Sequence, residues 1–227
     1  MRGQPAASAA QLATARQAAS LLIGYPDEEL TARLALIRAA VAPLQAGIAG
    51  PLGRFLDHLE MTPLTEQQAA YVETFDLRRR CSLYLTYYAY GDTRKRGMAL
   101  LQFKHLYKRA GLELSDDELP DHLAVVLEFT AIGDAVRGER LLHEHRAGLE
   151  LIRLALEERR SPYVDVLRAV CATLPPVRAE DREAVLRLAR EGPPTEDVGL
   201  DPYGTTPFAP PEYIPHRNDE PSAGALR

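Results

Sequence analysis

Leu30, Leu34, Ile37, Val41 and Leu44 stand four, three, four and three residues apart. That alternation follows the 3.6-residue turn of an α-helix and lays an apolar seam along one face, which a core must cover. The same signature recurs along almost the whole chain, and no alternating strand pattern of useful length competes with it. Leu12, Ala15, Ala19 and Leu22 predict a helix stopped by Gly24 and Pro26, and Asp27 is placed to cap the next. Pro43, Gly47, Gly50 and Pro51 predict a break before a third helix carrying Leu52, Phe55, Leu56 and Leu59. Thr65 followed by Gln68 reads as a capping box opening a helix with Tyr71, Val72 and Phe75. Gly91 breaks a tyrosine-rich helix. Asp92 is placed to cap the next one, with Leu100, Phe103, Tyr107 and Ala110, which Gly111 ends. Ser115 to Glu118 form an acidic connector with another capping signal, and Pro120 is expected at the first position of a helix carrying Leu123, Val126, Leu127 and Phe129. Further helices are expected over 141–158, 162–174 and 179–191.

The fold class expected is therefore all-α, a single-domain helical bundle over residues 1–191. Residues 192–227 hold eight of the chain's 17 prolines and few aliphatics. Proline removes amide donors and fixes the backbone, so an extended or disordered tail is expected there. Its Tyr203, Phe208, Tyr213 and Ile214 would dock on the body or a partner, or lie solvated. The apolar share of 46% over 227 residues supports a sizeable core. A net charge of −5 argues against a nucleic-acid binder, which usually carries a basic surplus. Cys81 and Cys171 are too few for a disulfide framework or a thiolate zinc site, and each sits among apolar residues as a buried thiol would. Residues 1–19 lack the apolar run of an export signal, and nothing approaches the ~20 apolar residues of a membrane span.

Residues 71–131 concentrate aromatic, basic and turn-forming residues without a recognisable catalytic constellation. Tyr84, Tyr87, Tyr88 and Tyr90 are four of the chain's ten tyrosines. Tyrosine grips a partner well, its ring burying apolar area while its hydroxyl finds a polar neighbour. Such a stripe is also what a core-facing helix would show, although each buried hydroxyl then needs a partner. His122 follows Asp121 near Glu118, an arrangement that can orient an imidazole for binding or proton transfer. The plainer alternative has Asp121 at the free amides of a helix start and His122 held by a hydrogen bond. His143 and His145 lie two apart and so point to different helix faces, not to a common metal. Arg78, Arg79, Arg80, Arg94, Lys95, Arg96, Lys104, Lys108 and Arg109 form a basic concentration that suits a phosphate or a solvated face paired with Asp76 and Asp92.

Several ordered runs resemble one family: Tyr71-Val72-Glu73-Thr74-Phe75-Asp76, Ser82-Leu83-Tyr84-Leu85-Thr86-Tyr87, Gly91-Asp92-Thr93-Arg94, Glu118-Leu119-Pro120-Asp121-His122-Leu123 and Val126-Leu127-Glu128-Phe129. They resemble the NarJ-type chaperones, the nitrate reductase molybdenum-cofactor assembly factors also called the delta subunit. These sit within the redox-enzyme maturation chaperones. The resemblance spans about residues 18–174. It implies a monomeric all-helical cytoplasmic chaperone with no catalytic residue, no metal and no stable membrane insertion. Its partner would be the N-terminal segment of the apo catalytic subunit of respiratory nitrate reductase. The molybdenum bis-guanine-dinucleotide cofactor would belong to that client rather than to this chain. The run Glu118 to His122 matches the family's groove-side linker motif, with Leu119 in its intervening place. On that basis Tyr71, Phe75, Tyr84, Tyr87 and Tyr88 are expected to line an apolar groove, Glu118 and Asp121 to meet a client's cations, and His122 to make binding pH-sensitive. The competing expectation is a nucleotide or phosphate hydrolase using Asp121, His122 and the basic run.

Overall fold

The computed structural model describes residues 7–115 and 118–194. The connector's capping signal at 116 and 117, and the expected tail from residue 195 onward with Tyr203, Phe208, Tyr213 and Ile214, lie outside them.

Eleven α-helices form among the described residues: α1 (Ala9–Ile23), α2 (Glu28–Val41), α3 (Ala46–Met61), α4 (Leu64–Tyr71), α5 (Leu85–Tyr90), α6 (Arg94–Arg109), α7 (Leu123–Glu128), α8 (Ala135–Glu144), α9 (Arg146–Glu158), α10 (Val164–Ala172) and α11 (Ala179–Glu191). The all-α expectation holds. α1 presents Ala15, Ala18, Ala19 and Leu22 at helical spacing, and such small side chains let α7, α10 and α2 approach closely. Ser20 reinforces this contact, its hydroxyl donating to the Ala124 carbonyl at 2.7 Å. α10 sits against both α3 and α9, burying Val166, Leu167, Ala169 and Val170. Arg16 is buried on α1 and donates to the Thr173 carbonyl at 3.1 Å and to Glu139 at 3.2 Å, so its charge is matched rather than stranded.

Local signals decide most boundaries. Asp27 accepts from the Leu30 amide at 2.7 Å and caps α2 as expected. Gly91, at φ +57°, ends α5 in a conformation that a side chain would strain. Four boundary expectations are corrected. α3 begins at Ala46 and runs through Pro51. The missing proline amide deprives only the carbonyl of exposed Gly47, which water can serve. Pro63, not Thr65, precedes α4, and Gln68 reaches across to the Pro26 carbonyl at 3.1 Å instead of closing a box. Thr93, not Asp92, stands at the start of α6, leaving Asp92 to pair with Arg96. The expected helix over 141–158 is interrupted at His145, which separates α8 from α9 and bonds the Leu141 carbonyl through Nδ1 at 2.9 Å.

Candidate binding surface

The tyrosine run and the Glu118–His122 run, some 35 residues apart in sequence, meet through the backbone. Tyr84 and His122 form an isolated antiparallel bridge: the Leu85 amide donates to the Asp121 carbonyl at 3.0 Å, and the Leu123 amide to the Leu83 carbonyl at 2.9 Å. α5 and α7 start on either side of this staple, which fixes what faces outward.

Side chains complete the junction. The Tyr84 hydroxyl donates to Glu118 Oε1 at 3.1 Å, and its ring stands edge-on to the His122 imidazole at 5.4 Å. The Arg96 guanidinium lies 5.7 Å from the Tyr84 ring centre, within cation–π range. Burial, then the neighbouring Glu118, push the Tyr84 phenol up to about 12. His122 caps α7: Nδ1 accepts from the Ala124 amide at 3.3 Å, which assigns the neutral ring's proton to Nε2. Nε2 faces Glu118 Oε2 at 3.9 Å. Burial lowers the His122 pKa, while Glu118, Asp121 and Asp76 pull it back up. Asp76 thereby joins Glu118 in an acidic field around the pair.

Asp121 takes the opposite role from the helix cap suggested above. It is 0% exposed and accepts from the Thr86 amide at 3.1 Å and the Thr86 hydroxyl at 2.5 Å through Oδ2, with Arg96 3.9 Å away. Its Oδ1 has no hydrogen-bond partner. The carboxylate is structural and sealed from solvent, so Asp121 is not the accessible base that the hydrolase alternative assigned to it. Tyr71 and Phe75 also lie inside, in a ring cluster with Tyr163, Phe55 and Tyr25. Tyr88 is buried, its hydroxyl donating to the Ser82 and Arg80 carbonyls at 2.9 and 3.1 Å. The expectation of five rings along an open groove is thus corrected. Three are core rings with satisfied or apolar surroundings; Tyr84 and Tyr87 are half-buried.

Open surface at the junction comes from Tyr84, Glu118 and Leu119, the last 41% exposed, with the edge of His122. Tyr87 points into a separate cleft of about 430 Å³ bounded by Leu151, Leu154, Ala155 and α11. Sequence reasoning put Arg96 in the general basic run, named Leu119 only as the intervening residue of the motif, and gave Thr86 no role. Only the Thr86 position inside the Ser82–Tyr87 run hinted at its part. Among the described residues no group of three or more His, Cys, Asp or Glu is placed to hold a metal ion, and no helix is long and apolar enough to cross a membrane.

A family model described as nitrate reductase delta subunit matches residues 41–169. The chain belongs to that family. It is 30% identical to the probable nitrate reductase molybdenum cofactor assembly chaperone NarJ of Bacillus subtilis over 69% of this chain and 86% of that one. It is 35% identical to the Escherichia coli K12 nitrate reductase molybdenum cofactor assembly chaperone NarJ over 63% of this chain and 62% of that protein. The nitrate reductase-like protein NarX of Mycobacterium tuberculosis is 38% identical over 69% of this chain, but the match spans only 24% of NarX. A crystal structure titled as a putative redox enzyme maturation protein from Archaeoglobus fulgidus shares the fold, with a TM-score of 0.52, 24% identity, and coverage of 74% of this chain and 94% of that one. The delta-subunit match contains the whole Tyr84–His122 junction and ends before α11.

Proposed function

We propose that this chain is an assembly chaperone of the delta-subunit family. It holds the N-terminal segment of the apo catalytic subunit of a respiratory nitrate reductase while the molybdenum cofactor is inserted. It works in the cytoplasm as a monomer, turns over no substrate, and leaves the molybdenum bis-guanine-dinucleotide cofactor with its client. The observation that carries this reading is the Tyr84–Glu118–His122 junction, rigidly stapled inside the matched segment yet open on its outer side. Leu119 and the Tyr84 ring offer apolar area, and Glu118 with Asp76 offers negative charge. An amphipathic, basic peptide fits both, the charges giving orientation more than affinity. Asp121 contributes by shaping the junction through Thr86 rather than by touching the client, and Tyr71, Phe75 and Tyr88 by supporting it from within.

Titration calorimetry with a synthetic peptide of the reductase's N-terminal residues tests the reading. The unaltered chain should bind it, and the double change Tyr84→Ala with Glu118→Gln should weaken binding at least about tenfold, roughly 1.4 kcal/mol. Failure of the unaltered chain to bind would remove the proposal. Protonated His122 would repel a cationic client, so affinity should fall on acidification; a flat pH profile takes His122 out of the account.

A further inference from the structure

We propose that α11 is a detachable strap, one wall of an apolar cleft whose remaining wall takes, in α11's place, an amphipathic helix from a partner chain, acidic on the flank nearest Arg79 and Arg80. This goes beyond the client reading above and involves a different surface.

Tyr87, Leu151, Leu154 and Ala155 form one side of the cleft; α11, packed on α9, forms the other from Leu188 onward and leaves Leu154 43% exposed. Every other α-helix buries at least one side chain among the described residues; α11 buries none. Leu188 lines the cleft and packs on the core; Ala184 and Val185 are likewise only half-buried, and Leu186 is 55% exposed. No hydrogen bond or ion pair joins a described α11 side chain to the body. The neighbouring helix α10 contrasts: Leu167 and Val166 are fully buried, and Asp165 pairs with Arg54 at 2.7 Å. A helix whose described side chains are at most partly buried belongs at the low end of a protein's range of local stabilities.

Its attachments allow it to lift. The link from α10 carries Pro175 and Pro176, which lack amide donors to tie the turn down. At the far end, the Pro194 carbonyl occupies the space of the absent Gly91 Cβ, which would lie 1.7 Å from it, so the contact rests on shape. Nor does charge lock the strap in its seat. Arg190 of the strap lines the same cleft as Arg79 and Arg80, and among the described residues neither Arg79 nor Arg80 forms an ion pair. A partner helix that keeps the aliphatic stripe and carries acid where the strap carries Arg190 would meet those cations favourably. Glu158 and Glu191 also border the cleft and limit how far that acidic flank extends.

Amide hydrogen exchange on the full chain gives the first test. Residues 179–191 should exchange at least about 100-fold faster than α9, by local opening. Exchange of α11 together with α9 and α3 would overturn the proposal. The second test uses Leu188→Asp in the full chain and a fluorescent synthetic peptide of residues 178–194. The peptide should bind this variant at least tenfold more tightly than the unaltered chain, and the Arg190→Glu version of the peptide more tightly still. Adding Leu154→Asp to the variant should abolish capture. Equal binding to both chains, capture that survives Leu154→Asp, or collapse of the whole fold in Leu188→Asp would each overturn it.

Discussion

The start of the six-residue helix α5, at Tyr84, and Tyr87 one turn further on meet their surroundings in opposite ways. At the Tyr84 end, two main-chain hydrogen bonds, a buried carboxylate on Thr86 and a phenol–carboxylate bond hold the junction in one arrangement. At the Tyr87 end, an apolar cleft is walled by a helix whose described side chains make no polar tie across it. Hydrogen bonds are directional and costly to leave unmade, so they impose one geometry; dispersion across a shallow contact tolerates exchange of one partner for another. One turn of helix thus separates a pre-set recognition edge from an adaptable one.

Phe75→Ala would break the comparison by undermining both ends at once. Emptying that place among Tyr71, Tyr163 and Phe55 should cost about 4 kcal/mol, read as a lower urea midpoint for the whole chain. Asp121→Ala should separate the ends. It removes the acceptor for the Thr86 amide and hydroxyl, costing about 3 kcal/mol. Hydrogen exchange should rise around residues 84–86 and 121–124 while that of α11 stays unchanged. Tyr84→Phe sharpens the contrast further, since only the bond to Glu118 goes. The melting temperature should barely move, with a loss of about 1 kcal/mol or less, while client affinity falls.

The smallest effect is that of pH. Burial lowers the pKa of His122, and of His58 and His145, relative to the unfolded chain. The unfolded state therefore takes up more protons as pH falls past about 6.5, so stability is complete above that value, erodes below it, and levels off once the folded-state groups protonate. Thermal melts from neutral to mildly acid pH should trace that descent, and His122→Gln should flatten part of it.

Much of the scaffold could be read from residue order because its signals are local. The seam Leu30–Leu34–Ile37–Val41, the Asp27 cap and the Gly91 stop each act within a turn or two. Two of the misreadings share a cause: a distant partner outbid a local signal. Gln68 found the Pro26 carbonyl, and Asp121 found Thr86 while His122 took over the capping of α7. Residue spacing also could not sort the tyrosines. Tyr84, Tyr87 and Tyr88 follow one helical pattern, yet the Ser82 and Arg80 carbonyls give Tyr88 a buried berth that its neighbours lack. The family's ordered runs marked the right region, and tertiary contacts decided which of its residues face outward.

Because the staple between Tyr84 and His122 is made wholly of peptide groups, it is indifferent to what either residue carries. The frame would persist while phenol and imidazole were exchanged for other side chains. Such a surface can be retuned toward a new leader sequence one substitution at a time, without first dismantling the architecture that displays it.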